Sequence, residues 1–158
     1  MSEKGVILLV VGFLLFPLVA ALADAHAKGE AKAYRTALAV RREARQRLRK
    51  QRRERAALET AHRWTLRWAR QYGPGVGRWA STALDVGWPE REMPTLGYVI
   101  WKESRGNSSA VNETTWCRGL LQIHPCHGEG WRKAFDPREN LKFGLRLWRS
   151  SGWRPWGL

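Results

Sequence analysis

The sequence predicts a mainly α chain in three parts: an apolar helix near the amino terminus, a long basic helix, and a small helical domain with a short hairpin. Three observations predict it. Residues 6–23 carry no charged side chain. Residues 24–71 are rich in Ala, Arg, Lys and Glu, with no Pro and a single Gly. From Gly73 onward, Gly and Pro recur closely enough to punctuate short helices. A chain of 158 residues has room for one domain and its appendages.

Taken as a helix, Val6 to Ala23 would span roughly 27 Å, about the thickness of a bilayer's hydrocarbon core. Residues 1–23 are therefore expected to be a transmembrane anchor or a signal segment, with membrane lipid as the partner of residues 6–23. Ala21-Leu-Ala23, Ala23-Asp-Ala25 and Ala25-His-Ala27 each offer the small-x-small pattern of a signal-peptidase site. The long apolar run, and a Lys4 nearly offset by Glu3, favour a retained anchor. The expected location is a membrane, either that of a host cell or one inside a virion; cleavage would make the protein secreted.

Residues 24–71 hold fifteen Lys and Arg against five Asp and Glu, so most of the net charge of +14 lies here. The composition predicts a long helical arm. A coiled coil is disfavoured, because Leu48 is the only large apolar residue between Arg41 and Arg55. A solvated spacer is the simplest reading of the arm; contact of residues 28–55 with anionic lipid or nucleic acid is the sharper one. The stretch from Arg41 to Arg55 has no aromatic residue, which weighs against base stacking on single strands. Trp64 and Trp68, one turn apart, mark where the arm would dock on the domain of residues 72–158.

Gly73-Pro-Gly-Val-Gly77 reads as the boundary turn, and Gly87-Trp-Pro89 ends a short helix running from about Arg78 to Val86. Pro94 suits the first turn of the next helix. In that helix Met93, Leu96, Val99 and Ile100 form an apolar stripe, and continuing the step lands on Glu103. A carboxyl on such a stripe loses water, and desolvation favours the protonated form that a general acid needs. Gly106-Asn107 then ends the helix. The polar run from Asn107 to Thr115 predicts a loop leading into a short hairpin. Asp136, Pro137 and Glu139 predict an N-capped final helix with Leu141, Leu145 and Trp148 on its inner face. Ten Trp are many for this length, and indole faces serve both cores and sugar clefts.

Glu103-Ser104, Gly106-Asn107, Ala110-Val-Asn112, Gly119-Leu-Leu-Gln-Ile123, Phe135-Asp-Pro137 and Asn140, in that order and spacing, resemble the lysozyme-like lytic transglycosylases of the SLT type. The terminal Gly152-Trp-Arg-Pro-Trp156 resembles an ending found among actinobacterial and phage members. The resemblance covers roughly residues 76–158. It implies a lysozyme-like domain, α+β with a short hairpin, that cleaves the β-1,4 bond between N-acetylmuramic acid and N-acetylglucosamine in peptidoglycan, without cofactor or metal.

The resemblance implies Glu103 as general acid and then base. Gln122 would bind an N-acetyl group, and Ser104, Asn112, Trp116 and Ile123 would complete the substrate-binding set. Ser104 can equally be a helix-end hydroxyl bonding its own backbone. A hydrolytic muramidase would need a second carboxylate, for which Glu113 is the nearest candidate, with Glu129 further on. Cys117 and Cys126 flank the Gln122 segment and could form a disulfide, although spacing does not establish geometry. With His124 and His127 they make a Cys/His cluster, but no Cys-x-x-Cys pair indicates a metal site. The basic residues just after residue 23 conflict with an outward-facing enzyme under the positive-inside rule. A virion membrane, or export that overrides the bias, would reconcile them. The alternative function is a non-catalytic wall-glycan-binding or structural membrane protein whose basic arm binds DNA or lipid.

Overall fold

The computed structural model describes the backbone of residues 3–158 and the side chains of Asp24 and of residues 26–158. Among the described residues the regular elements are helices: α1 (Glu3–Tyr72), α2 (Pro74–Gly77), α3 (Ala80–Asp85), α4 (Met93–Ser104), α5 (Glu129–Arg132) and α6 (Pro137–Ser151). Short 3-10 turns lie at Glu90–Glu92, Pro125–His127 and Arg154–Trp156. The chain divides into two compact units, Met1–Arg53 and Glu54–Leu158.

The first unit is a stretch of α1. Its described side chains are exposed, apart from a half-buried Leu38. Intrinsic propensity therefore carries this part of the helix, since Ala, Arg, Lys, Glu and Gln lose little on becoming helical. Two expectations are corrected here. Among the described residues no helix is long and apolar enough to cross a membrane, so neither the membrane-spanning helix nor the membrane-anchored location is supported there. The predicted anchor does not stand as a separate element, because α1 runs unbroken from Glu3 to Tyr72. The side chains of residues 6–23 lie outside those described.

The second unit takes in the last turns of α1, because Trp64 and Trp68 are buried there. The Trp68 indole N–H donates to the Met93 carbonyl at 3.0 Å. Its ring rests against Gly97, where a Cβ would lie 2.6 Å from Nε1, so a glycine is needed for the two helices to meet this closely. Trp64 donates to Glu90 Oε1 at 3.1 Å, and the Arg63 guanidinium reaches the same oxygen at 2.7 Å. Those two hydrogen bonds, the indole's first, hold the Glu90 carboxyl below its ordinary range.

Met93, Leu96, Val99 and Ile100 of α4 are buried, as their spacing predicts. Around them pack Val76, Ala80, Ala83, Trp88, Leu120, Leu121, Ile123, Ala134, Leu141 and Leu145. α6 starts as expected, with Asp136 Oδ1 accepting from the Glu139 backbone N–H at 2.9 Å and Pro137 in the first turn. Such a cap contributes about 1 kcal/mol.

Seven of the ten indoles donate to a carbonyl or carboxylate within this unit: Trp64, Trp68, Trp79, Trp88, Trp131, Trp153 and Trp156. Each indole covers apolar surface while satisfying a backbone or side-chain acceptor. These seven therefore each have a structural role. Trp153 stacks on Trp88 with centroids 5.4 Å apart, and this brings the carboxyl-terminal turn down onto the core.

The lysozyme-like α+β hairpin is the third correction. Among the described residues there is no strand, and the hairpin is reduced to two isolated antiparallel bridges, Val111 with Arg118 and Arg118 with Ile123. The backbone explains why. Trp116, Gly119 and Gln122 have φ of +60°, +75° and +48°, so every third residue leaves the extended region and no ladder propagates.

Candidate functional site

Glu103 occupies the last turn of α4, at the margin of the buried stripe. The stripe runs from Ile100 into Ser104, four residues on, which is 8% exposed; the Glu103 side chain keeps 23% of its surface. Arg105 ends the helix in the left-handed region at φ +54°, and its guanidinium lies 3.8 Å above the Trp101 ring. Gly106 follows at φ +79°, where a Cβ would meet the Gly75 carbonyl oxygen at 2.4 Å. Trp79 donates to the Gly106 carbonyl at 2.8 Å. The end of the helix that carries the acid is thus fixed from two sides.

The segment from Gly119 to Ile123 is held opposite by buried side chains. Asn140, fully buried on α6, accepts from Leu121 N–H at 3.0 Å and donates to the carbonyls of Ala134 at 2.8 Å and Arg118 at 3.2 Å. Gly119 passes so close to this amide that a Cβ would lie 2.3 Å from Asn140 Nδ2 and 2.0 Å from the Ala134 oxygen. Ser104 joins the segment to α4: its hydroxyl lies 2.9 Å from the Leu120 carbonyl and 3.0 Å from that of Ile100, and accepts from Gly106 N–H at 3.2 Å. Ser104 thus bonds its own helix, as the helix-end reading has it, and also braces the opposite wall rather than facing a ligand.

Between these walls lies a cavity of about 500 Å³, a size that accommodates a sugar-sized ligand. Its lining includes Glu103, Asn112, Cys117, Gln122 and Ile123 from the expected set. Asn112 Oδ1 accepts from the backbone N–H groups of Thr114 and Thr115, both at 3.0 Å, and so shapes the rim. The Gln122 amide nitrogen donates to the carbonyls of Gly119 at 3.0 Å and Ala110 at 3.3 Å. That fixes the side chain and leaves its Oε1 as the atom able to accept from a ligand N–H.

Other expected residues are placed elsewhere. Ser104 is a strut behind the wall. Trp116 and Glu113 are exposed and absent from the lining. Glu129 faces a second cavity of about 290 Å³, where the Lys133 ammonium, hydrogen-bonded at 2.6 Å, holds its carboxyl below the ordinary range. Cys117 and Cys126 are both free thiols, the former half-buried on the lining and the latter exposed. Among the described residues no group of three His, Cys, Asp or Glu side chains is placed to hold a metal ion.

Sequence reasoning passed over Lys102, Thr115, Leu147, Pro155 and the two histidines as lining residues. Lys102 is the most consequential. Its ammonium donates to the Trp156 carbonyl at 2.9 Å and lies 3.6 Å from Glu103 Oε1. Trp156 in turn donates to the Leu121 carbonyl at 3.0 Å, so the carboxyl-terminal turn bridges both walls of the cavity. His124 accepts from Cys126 N–H through Nδ1 at 3.2 Å, and the His127 ring packs on Phe143 with centroids 5.3 Å apart. Both histidines are near neighbours in sequence of the Gly119–Ile123 motif, which is the one local signal that could have marked them.

The cavity is a partly closed polar cleft whose described lining presents one carboxylate, one ammonium, two amides and two imidazoles. Compared with protein-family models, curated proteins and solved structures, the chain matches none.

Proposed function

We propose that residues 54–158 form a peptidoglycan-cleaving unit that acts as a lytic transglycosylase on the MurNAc-GlcNAc β-1,4 bond. The observation that carries this reading is that Glu103 is, among the described residues, the single carboxylate on the cavity lining. Hydrolysis by paired carboxylates needs a second one about 5–9.5 Å away, on the other side of the scissile bond. A transglycosylase needs one. Glu103 donates its proton to the bridging oxygen as the C1–O bond breaks. It then accepts the proton of the muramyl 6-hydroxyl as that oxygen closes on C1, giving a 1,6-anhydro product and restoring the acid.

Lys102 supports the cycle by facing the carboxylate that forms after the first proton transfer. Gln122 Oε1 suits an acetamido N–H, and the fixed amide makes that acceptor preorganised. The resemblance of the ordered motifs to those of the lytic transglycosylases is the second support. The test is mass spectrometry of muropeptides released from purified peptidoglycan by the whole chain and by Glu103→Gln. Anhydromuramyl products from the wild type are expected, with a loss of about 10²–10⁴-fold or more in the variant. Reducing-end products would replace the transglycosylase by a hydrolase with His124 or His127 as the base. Retained glycan binding without any product would make the unit a wall-glycan-binding module.

A further inference from the structure

The proposed reaction makes no use of the arginines of α1, and their arrangement is not that of a uniformly charged spacer. At about 100° per residue, Arg41, Arg42, Arg45, Arg49, Arg52 and Arg53 fall within an arc of about 120° along roughly 18 Å of helix. All six side chains are exposed. No acidic residue lies in the arc. Glu43 projects from the opposite side, together with Arg47 and Lys50. One face of the helix is therefore a guanidinium strip and the other is mixed.

We infer that this strip binds the phosphates of double-stranded nucleic acid. A guanidinium offers two parallel N–H donors to a phosphate, and a helix holds successive guanidinia at fixed separations, which suits fixed phosphates better than mobile ones. The duplex also has a very high linear charge density, about one charge per 1.7 Å of axis, so releasing its counterions favours an all-cationic face. Single strands are a poorer match, because residues 41–53 contain no aromatic side chain on which a base could stack. A lipid surface is a poorer match because its bound helices bury an apolar face, and the apolar residues of this stretch are Ala44 and Leu48 alone. Guanidinia bonded to phosphates position the helix without reading bases, so binding is independent of base sequence.

The experiment is fluorescence anisotropy of a labelled 20-base-pair duplex with the whole protein across a potassium chloride series. Two double variants remove the same charge from opposite faces: Arg45→Gln with Arg49→Gln, and Arg47→Gln with Lys50→Gln. The wild type is expected to lose affinity with salt at a log-log slope as steep as about −5 for six phosphate contacts. The strip variant should bind at least about tenfold more weakly, with a slope shallower by about 2, and the opposite-face variant should bind within about threefold of wild type. Far-ultraviolet circular dichroism confirms that both stay helical. Equal losses in the two variants would reduce the effect to bulk charge and overturn the strip. Absence of duplex binding, with or without tight binding to phosphatidylglycerol vesicles, would overturn the choice of nucleic acid.

Discussion

At the scale of single residues, Glu103 and Ser104 divide one task. The acid stands at the margin of the α4 stripe with part of its surface on the cavity, while its neighbour is buried and bonded to Leu120 of the opposite wall. Ser104→Ala leaves the Leu120 carbonyl without that partner, at a cost of about 1–3 kcal/mol. A thermal melt of the whole chain should show the transition of residues 54–158 lowered by roughly 5–15 °C. An unchanged melt would rule out the strut. The placing of Glu103 and Ser104 beside the apolar stripe of α4 was legible in the sequence, because three- and four-residue steps from Val99 and Ile100 lead to both. Which of the two faces solvent was not, since adjacent positions differ by about 100° around the axis and only packing decides. Lys102 was illegible for a different reason: its ammonium is placed by the carbonyl of Trp156, 54 residues away.

At the scale of elements, the segment from Gly119 to Ile123 is shaped by Asn140 more than by its own sequence. One amide serves Leu121, Ala134 and Arg118, so Asn140→Ala unpairs the Leu121 N–H and the Ala134 carbonyl together, both in buried bonds, while the Arg118 carbonyl keeps the Ile123 N–H. The expected cost is about 3 kcal/mol or more. The Gly119–Ile123 turn should loosen with it, because Gln122 depends on the Gly119 carbonyl. Hydrogen exchange at Leu121 and Ile123 checks this: protection should fall there by more than in α4. Protection lost equally across the unit would mean that Asn140 contributes only to global stability. The start of α6 was legible from Asp136, Pro137 and Glu139, because capping is local chemistry. The hairpin was misread because a polar, turn-rich run has the composition of a loop between strands. Positive φ at Trp116 and Gln122, both non-glycine, carries no local signal. The free thiols of Cys117 and Cys126 belong with it, since no regular hairpin brings the two into register.

At the scale of the whole molecule, the boundary between the two units falls at Arg53 and Glu54 although α1 continues through it. Continuity of a helix is a matter of backbone hydrogen bonding, whereas membership of a unit is a matter of burial. Before residue 54 the described side chains face solvent, Leu38 only in part; after it, Trp64 and Trp68 enter the core at 6% and 1% exposure. The compact unit thus reaches back to Glu54, past the break in composition at Gly73 where α1 ends. Two fragments separate these meanings. Residues 54–158 keep both tryptophans, the Trp68 bond to Met93 and the Glu90 pair with Arg63, and are expected to unfold in a single cooperative transition. Residues 72–158 lack them, and losing a buried Trp costs about 3–5 kcal/mol, of the order of a small domain's total stability. That shorter fragment should show no cooperative melt by circular dichroism and should bind a hydrophobic dye. A cooperative transition in the shorter fragment would return the boundary to Gly73 and make the α1 tryptophans a docked extension. Because the cavity walls pack on the same core, the proposed activity on peptidoglycan should follow the tryptophans: present in residues 54–158, absent in 72–158.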